Sequence, residues 1–261
     1  MMLHYQSLDT STFNVLHELM ANPTLKEAGF VLCGGTALTL QLGHRMSTDI
    51  DLFSPLNVTA PKMKSYMEKT FGDRLDITSM GDLGIRGFLD GVKLDMIKFP
   101  YPMKHSPLEV NGLRVIGLDD ASAMKLHAAA NRGARRDYVD LAELLQKMPF
   151  ERILINYQNQ FNPSPQALEH TRRAITFFDD AERTTTAIDM LNGRRWETTK
   201  QIIRQSVANP RHIQLLPPPK PLLAANPHQQ GILTVSNSTP ALPVTFHQKG
   251  TTTKPRQSPK H

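Results

Sequence analysis

The sequence predicts an α+β protein: a small mixed β-sheet flanked by helices, then a helical C-terminal half and a disordered tail. Three observations carry this. Short strand-like runs cluster before residue 118, helical periodicity dominates from 119 to about 208, and the last 45 residues change composition. Strands first and helices afterwards is the order of an α+β domain.

Residues 12–22 put Phe13, Val15, Leu16, Leu19 and Met20 on one helical stripe. Phe30–Val31–Leu32–Cys33 is a short apolar run stopped by Gly34–Gly35, as in a buried strand ending in a tight turn. Thr36 to Leu42 reads as a helix with Gly43 as its stop. Ile50–Phe53 is the next strand, and Pro61 opens a helix running to about Phe71. Strands follow near 74–80 and 84–89, and Asp90–Gly91 is a hairpin turn leading into a return strand from Val92 to Phe99. After an Asn111–Gly112 turn, Asp119 or Asp120 caps a helix through about Ala130. Further helical patterns cover 136–147, 151–160, 165–182 and 196–208. No internal repeat is visible.

From Pro217 to His261 the chain holds 9 of its 19 prolines and no Asp or Glu. Too few apolar residues recur there to offset the entropy of ordering, which predicts a disordered, Pro-rich, basic tail over 217–261. The tail also explains the net charge of +6. Without its five basic groups the remainder has 25 Lys and Arg against 24 Asp and Glu. The high pI is therefore no argument that the folded part binds nucleic acid, although a local basic patch is compatible with it.

The single cysteine, Cys33, excludes an internal disulfide and a CxxC zinc site. The ten histidines show neither HExxH nor HxH spacing. No run approaches the roughly 20 apolar residues of a membrane span, and no basic-then-apolar signal pattern opens the chain. The expectation is a cytoplasmic protein with no membrane partner.

The informative stretch is Gly34–Gly35–Thr36 followed, thirteen residues on, by Asp49–Ile50–Asp51. On a strand, side chains at i and i+2 leave the same face, so Asp49 and Asp51 point together. Two adjacent carboxylates repel each other, and a hard cation such as Mg²⁺ removes the repulsion while taking its other ligands from substrate phosphate. Glycines between a strand and a helix let backbone N–H groups approach phosphate closely. Either feature alone is weak, since DxD is usually a solvated turn and Gly–Gly usually a bend. Together they are specific. The glycines at 81, 84 and 87 do not form GxGxxG, and no GxxxxGK[ST] is present.

The run Gly34 to Phe53 (GGTALTLQLGHRMSTDIDLF) resembles the signature of the AbiEii/AbiGii toxin family, a branch of the DNA polymerase β-like nucleotidyltransferases. The resemblance continues through Asp95, Met124–Lys125, Arg132 to Leu141, Phe178 to Glu182 and Trp196, over roughly residues 3–208. It implies a nucleotidyltransferase core over 1–118 and a helical region over 119–210 that completes the cleft. It implies transfer of a nucleotidyl group from an NTP to an acceptor such as the 3′ end of a tRNA, by the toxin of a toxin–antitoxin or phage-defence system. A cognate antitoxin is then a partner. Gly34, Gly35, Thr36, Arg45, Ser47 and Lys125 would contact the nucleotide, and Asp49 and Asp51 would bind Mg²⁺, with Mn²⁺ as a substitute. Asp95 matches a third carboxylate that could deprotonate the acceptor, and Lys125 and Asp137 match later motif positions in the same cleft.

Blander readings stand beside these. Lys125 fits a solvated helix face, Asp137 and Asp140 fit first-turn acids, and His44 and Arg45 fit a helix C-cap. Arg135 and Arg136 fit surface charge or RNA contacts equally well. Cys33 fits a small buried apolar residue. A non-catalytic binding module is the rival function, against which the glycine pair and both aspartates are intact; a protein or small-molecule acceptor is a further alternative.

The tail reading has a direct check. A chain ending at Leu216 should melt at the same temperature as the full chain and keep NTP binding, and loss of cooperative unfolding would show that the tail packs on the domain.

Overall fold

A computed structural model describes residues 2–55, 58–184 and 186–213. The expected tail, 217–261, lies outside the described residues. Helices α1 (Thr10–Ala21) and α2 (Pro23–Glu27) lead into β1 (Val31–Cys33), α3 (Gly34–Leu42), β2 (Ile50–Ser54) and α4 (Ala60–Phe71). A meander of β3 (Leu75–Gly81), β4 (Gly84–Leu89) and β5 (Val92–Lys98) follows, then a short hairpin of β6 (Leu108–Val110) and β7 (Leu113–Val115). The helices α5 (Leu118–Arg132), α6 (Arg135–Leu145), α7 (Phe150–Phe161), α8 (Pro165–Ala174), α9 (Asp179–Arg183) and α10 (Trp196–Ala208) complete it. This is the expected α+β class.

The seven strands form one mixed sheet in the order β3-β4-β5-β2-β1-β7-β6. Strand β2 runs parallel to β5, aligning Asp51 with Asp95, and antiparallel to β1, aligning Cys33 with Asp51. The turns at Asp90–Gly91 and Asn111–Gly112 each place two successive residues at positive φ. That is the type I′ arrangement whose twist matches the flanking strands. The edge strand β3 carries a register shift between Ile77 and Ser79, a β-bulge.

Alternation along β2 and β5 sorts core from cleft. Ile50, Leu52, Leu94 and Met96 are almost wholly buried, whereas Asp51, Phe53, Lys93 and Asp95, on the opposite face, are only partly so. The core runs without a break from the sheet into the helical region, where Leu126, Leu141, Leu144 and Ile153 are fully buried. Residues on both sides of the expected 118/119 boundary share this core.

Three expectations need correction. Helix α5 begins after Gly117 with no side-chain cap. Asp119 instead pairs with Arg152 and Asn156, and the Asp120 carboxylate accepts the backbone N–H groups of Lys104 and His105. The helix expected over 165–182 is two helices, because Ile175 and Phe178 turn into the core and Tyr138 donates its hydroxyl to the carbonyl of Phe177 at 2.8 Å. The Asn111–Gly112 turn closes a pair of three-residue strands too short to stand out as a pattern.

Candidate active site

Helix α3 begins directly at the end of β1, so its free N–H groups face the cleft. Gly34 has φ +66°, and a Cβ there would lie 1.9 Å from Oδ2 of Asp51. Only glycine permits both the backbone angle and the contact. At Gly35 a Cβ would lie 2.4 Å from Nη2 of Arg45. The glycine pair therefore lets a carboxylate and a guanidinium press onto the helix N-terminus from two sides.

The cavity formed there holds about 90 Å³ and is lined by Gly34, Gly35, Asp49, Asp51 and Asp95, together with Arg45, Ser47, Lys93, Lys125, Arg132 and Arg136. Five of the lining side chains are cationic and three are carboxylates. Asp49 lies one residue before β2 and accepts from Lys93 at 3.2 Å and Arg136 at 3.3 Å. Asp95 approaches Arg86 at 3.4 Å through Oδ2, while its Oδ1 is buried without a partner. Asp51 has no hydrogen bond or ion pair among the described residues. Desolvation and the facing charge of Asp95 push its carboxyl up, against the opposing pull of Lys125 and Lys93.

Behind this surface lies a buried ionic cluster. Asp140, on α6, is fully buried and takes Nε and Nη2 of Arg45 at 2.7 and 2.9 Å, Nε2 of His44 at 2.8 Å and Nζ of Lys125 at 2.9 Å. Since an ionised carboxylate only accepts, His44 carries its proton on Nε2. Asp137 is also fully buried and takes Lys125 at 3.0 Å and Arg132 at 2.6 and 2.7 Å. Burial works against ionised Asp140, but the charges of Arg45 and Lys125 and the bonds from His44 and Arg45 hold it well below the usual carboxylate range. Burial also pulls Lys125 down, and Asp140 and Asp137 outweigh it, so the ammonium titrates above an ordinary lysine.

The residues named from sequence thus fall into two groups. Gly34, Gly35, Arg45, Ser47, Asp49, Asp51, Asp95 and Lys125 line one cavity. Thr36 and Asp137 do not line it. Thr36 is buried and braces the following loop, bonding Ser47 Oγ at 2.8 Å and donating to the carbonyl of Asp49. Asp137 sits behind Lys125 and Arg132 and orients both, a positioning residue. Lys125 is no solvated lysine, and Arg45 caps no helix, because Gly43 ends α3 in the left-handed region. Cys33 is buried, and desolvation followed by the Asp51 charge pushes its thiol up, out of nucleophilic range.

Sequence reasoning assigned no role to Lys93 or Arg132 and read Asp140 as a first-turn acid. The i, i+3 spacing of Asp137 and Asp140 was the available signal, since it puts both on one helix face.

Residues 18–193 match the family described as nucleotidyl transferase AbiEii toxin, type IV TA system. A stretch of 132 residues is 33% identical to an uncharacterized protein of Aquifex aeolicus (strain VF5), covering 45% of this chain and 58% of that protein. The chain thus spans less than two thirds of the curated relative it matches. Among solved structures it is similar to the antibiotic-resistance factor ANT(2'')-Ia, with 17% identity and a TM-score of 0.48 over 63% of this chain and 98% of that one. It is also similar to MenT4, a nucleotidyltransferase toxin of Mycobacterium tuberculosis H37Rv, with 14% identity and a TM-score of 0.42 over 77% and 92% of the two chains.

The ionic cluster generates a stability prediction. Asp140→Asn strands buried cations and should destabilise the fold by about 3–5 kcal/mol. The depressed carboxyl contributes its stability in full above the unfolded value of roughly 3.9 and loses it as pH falls through the folded value. The difference in unfolding free energy between wild type and Asp140→Asn should therefore be flat from neutral pH to about pH 4 and shrink below it. Urea titrations across that range measure it, and a gap that widens on acidification would contradict the assignment.

Proposed function

Because the chain belongs to the AbiEii nucleotidyl transferase toxin family, we propose that it transfers a nucleotidyl group from a nucleoside triphosphate to an acceptor hydroxyl. The observation that carries this is Asp51, a carboxylate without a donor, lying against the N-terminus of α3 in a cavity ringed by cations.

The donor set fits a divalent cation. Among the described residues no three His, Cys, Asp or Glu side chains are placed to hold a metal by themselves. Mg²⁺ does not need three, since it commonly takes one or two carboxylates and fills its octahedron with water and substrate phosphate. Asp51 carries no hydrogen bond or ion pair among the described residues, and Asp49 is held only by the partly exposed Lys93 and Arg136, so both offer hard oxygens of the right kind. We assign the cation, Mg²⁺ or Mn²⁺, to Asp49 and Asp51. Once bound, it would neutralise phosphate charge and stabilise the charge that develops at the attacked phosphorus.

The chain's own groups then have these roles. Backbone N–H groups at Gly34 and Gly35 receive phosphate oxygens, helped by the dipole of α3. Arg45 and Ser47 border the same oxygens. Lys125, fixed by Asp137 and Asp140, presents a positive charge that need not reorganise during reaction. Asp95 takes the proton of the acceptor hydroxyl as its oxygen bonds the α-phosphorus. The bond from that phosphorus to the bridging oxygen breaks, and pyrophosphate leaves.

We place the acceptor on the side of Arg135 and Arg136, which border a groove of about 510 Å³ with Arg45 and Thr48. Side chains of that type suit a nucleic-acid backbone, so a tRNA 3′ end is the proposed acceptor. The proposed setting is the toxin of a toxin–antitoxin or phage-defence system, acting in the cytoplasm beside a cognate antitoxin. Among the described residues no helix is long and apolar enough to cross a membrane.

Incubation with labelled NTPs, Mg²⁺ and total tRNA should label the RNA. Label on protein or on a small molecule would move the acceptor, and no label on any acceptor despite bound NTP would overturn transfer. Asp51→Asn should reduce transfer to background while leaving the melting temperature unchanged or raised, because a charge facing Asp95 is removed. A folded Asp51→Asn protein with full activity would sink the metal assignment.

A further inference from the structure

Along β2, and from β5 into the residue that follows it, the chain passes from carboxylates to aromatic rings. Phe53 follows Asp51 by two positions and Phe99 follows Asp95 by four. The rings of Phe53 and Phe99 stack at 5.4 Å, and Tyr101 lies 4.7 Å from Phe161. On the helical side His127 and Phe161 stack at 4.5 Å with planes 7° apart. These rings enclose a cavity of about 230 Å³. Gly34, Asp51, Lys125 and Arg132 belong to its wall and also to that of the carboxylate cavity, so the two are adjoining lobes.

Tyr101 is 38% exposed and the other four rings are only partly buried. Apolar surface left open in a concave wall marks a binding site more often than a packing defect. Burial pushes the His127 imidazole down, so near neutral pH it stacks as an uncharged ring.

Resting on the reading of an NTP as donor, we infer that this aromatic lobe holds the heteroaromatic base of that nucleotide. With phosphates at the N-terminus of α3, two cavities that share walls with theirs are open to the rest of the molecule. One is the groove of Arg45, Arg135 and Arg136, larger and suited to phosphates. The other is the small lobe walled by flat rings. A base is flat, apolar on its faces and joined to the phosphates through one sugar, which matches the second. Every base has a π-face, so stacking of this kind supplies affinity with little choice among bases.

Calorimetric titration in the presence of Mg²⁺ tests this, with ATP, CTP, GTP and UTP against tripolyphosphate as the base-free probe. Phe161→Leu keeps apolar volume and removes the ring, and Tyr101→Ala alters the exposed rim, where the fold is least at risk. Each should weaken NTP binding by roughly tenfold to a hundredfold and leave tripolyphosphate binding unchanged. An equal loss for both probes would make the rings merely structural, and undiminished NTP binding in folded variants would remove the base from this lobe. Wild-type protein that binds none of the NTPs would instead remove the donor reading, and this inference with it.

Discussion

The buried carboxylate of Asp140 holds the cleft together. It accepts from His44 and Arg45, in the loop after α3, and from Lys125 on α5, while itself belonging to α6. A guanidinium and an ammonium buried this deeply persist as cations only beside an anion, since desolvation otherwise drives such groups neutral or out of the core. Arg45 in turn presses on Gly35. The position of the α3 N-terminus relative to the helical region therefore depends on one side chain that lines no part of the cavity.

Much of the fold was legible because its signals are local. Asp90–Gly91 named one hairpin, Asn111–Gly112 marked a turn without its strands, and the alternation of Asp and apolar residues over 49–53 placed carboxylates and core on opposite faces. The single break at 175–178 escaped because helical periodicity continues across it, and only tertiary burial of Ile175 and Phe178 stops the helix. The site was legible less evenly. Residues of the glycine and DxD run could be paired from strand geometry, but spacing does not say which helix returns to the sheet. Lys125 therefore fitted a solvated face and Asp140 a first-turn acid, and the rings of α5 and α7 drew no reading at all. Family resemblance placed Lys125 near the phosphates without indicating that two acids would bury it.

Net charge says little about this cleft. Outside the C-terminal segment the chain is close to neutral, yet five cations and three carboxylates line a single small cavity. Asp137 and Asp140 neutralise the inner faces of Lys125, Arg132 and Arg45, while the outer faces remain directed at the space a triphosphate would fill. Field lines concentrate in a recess with low-dielectric walls, so local arrangement governs anion attraction more than the sum over the chain.

The irregularity in β3 bears on how the molecule behaves among its own copies. A seven-residue strand at the rim of a sheet offers a row of unpaired N–H and C=O groups as a template for another chain. Met80 and Leu83, both about half exposed, make that rim stickier. The shift between Ile77 and Ser79 interrupts the row midway, and a bulge of this kind increases the local twist of a strand. A second molecule approaching this rim meets two short, misaligned stretches in place of one straight ladder. An extra residue at that position makes this rim a poorer template for a second copy than a straight strand would be.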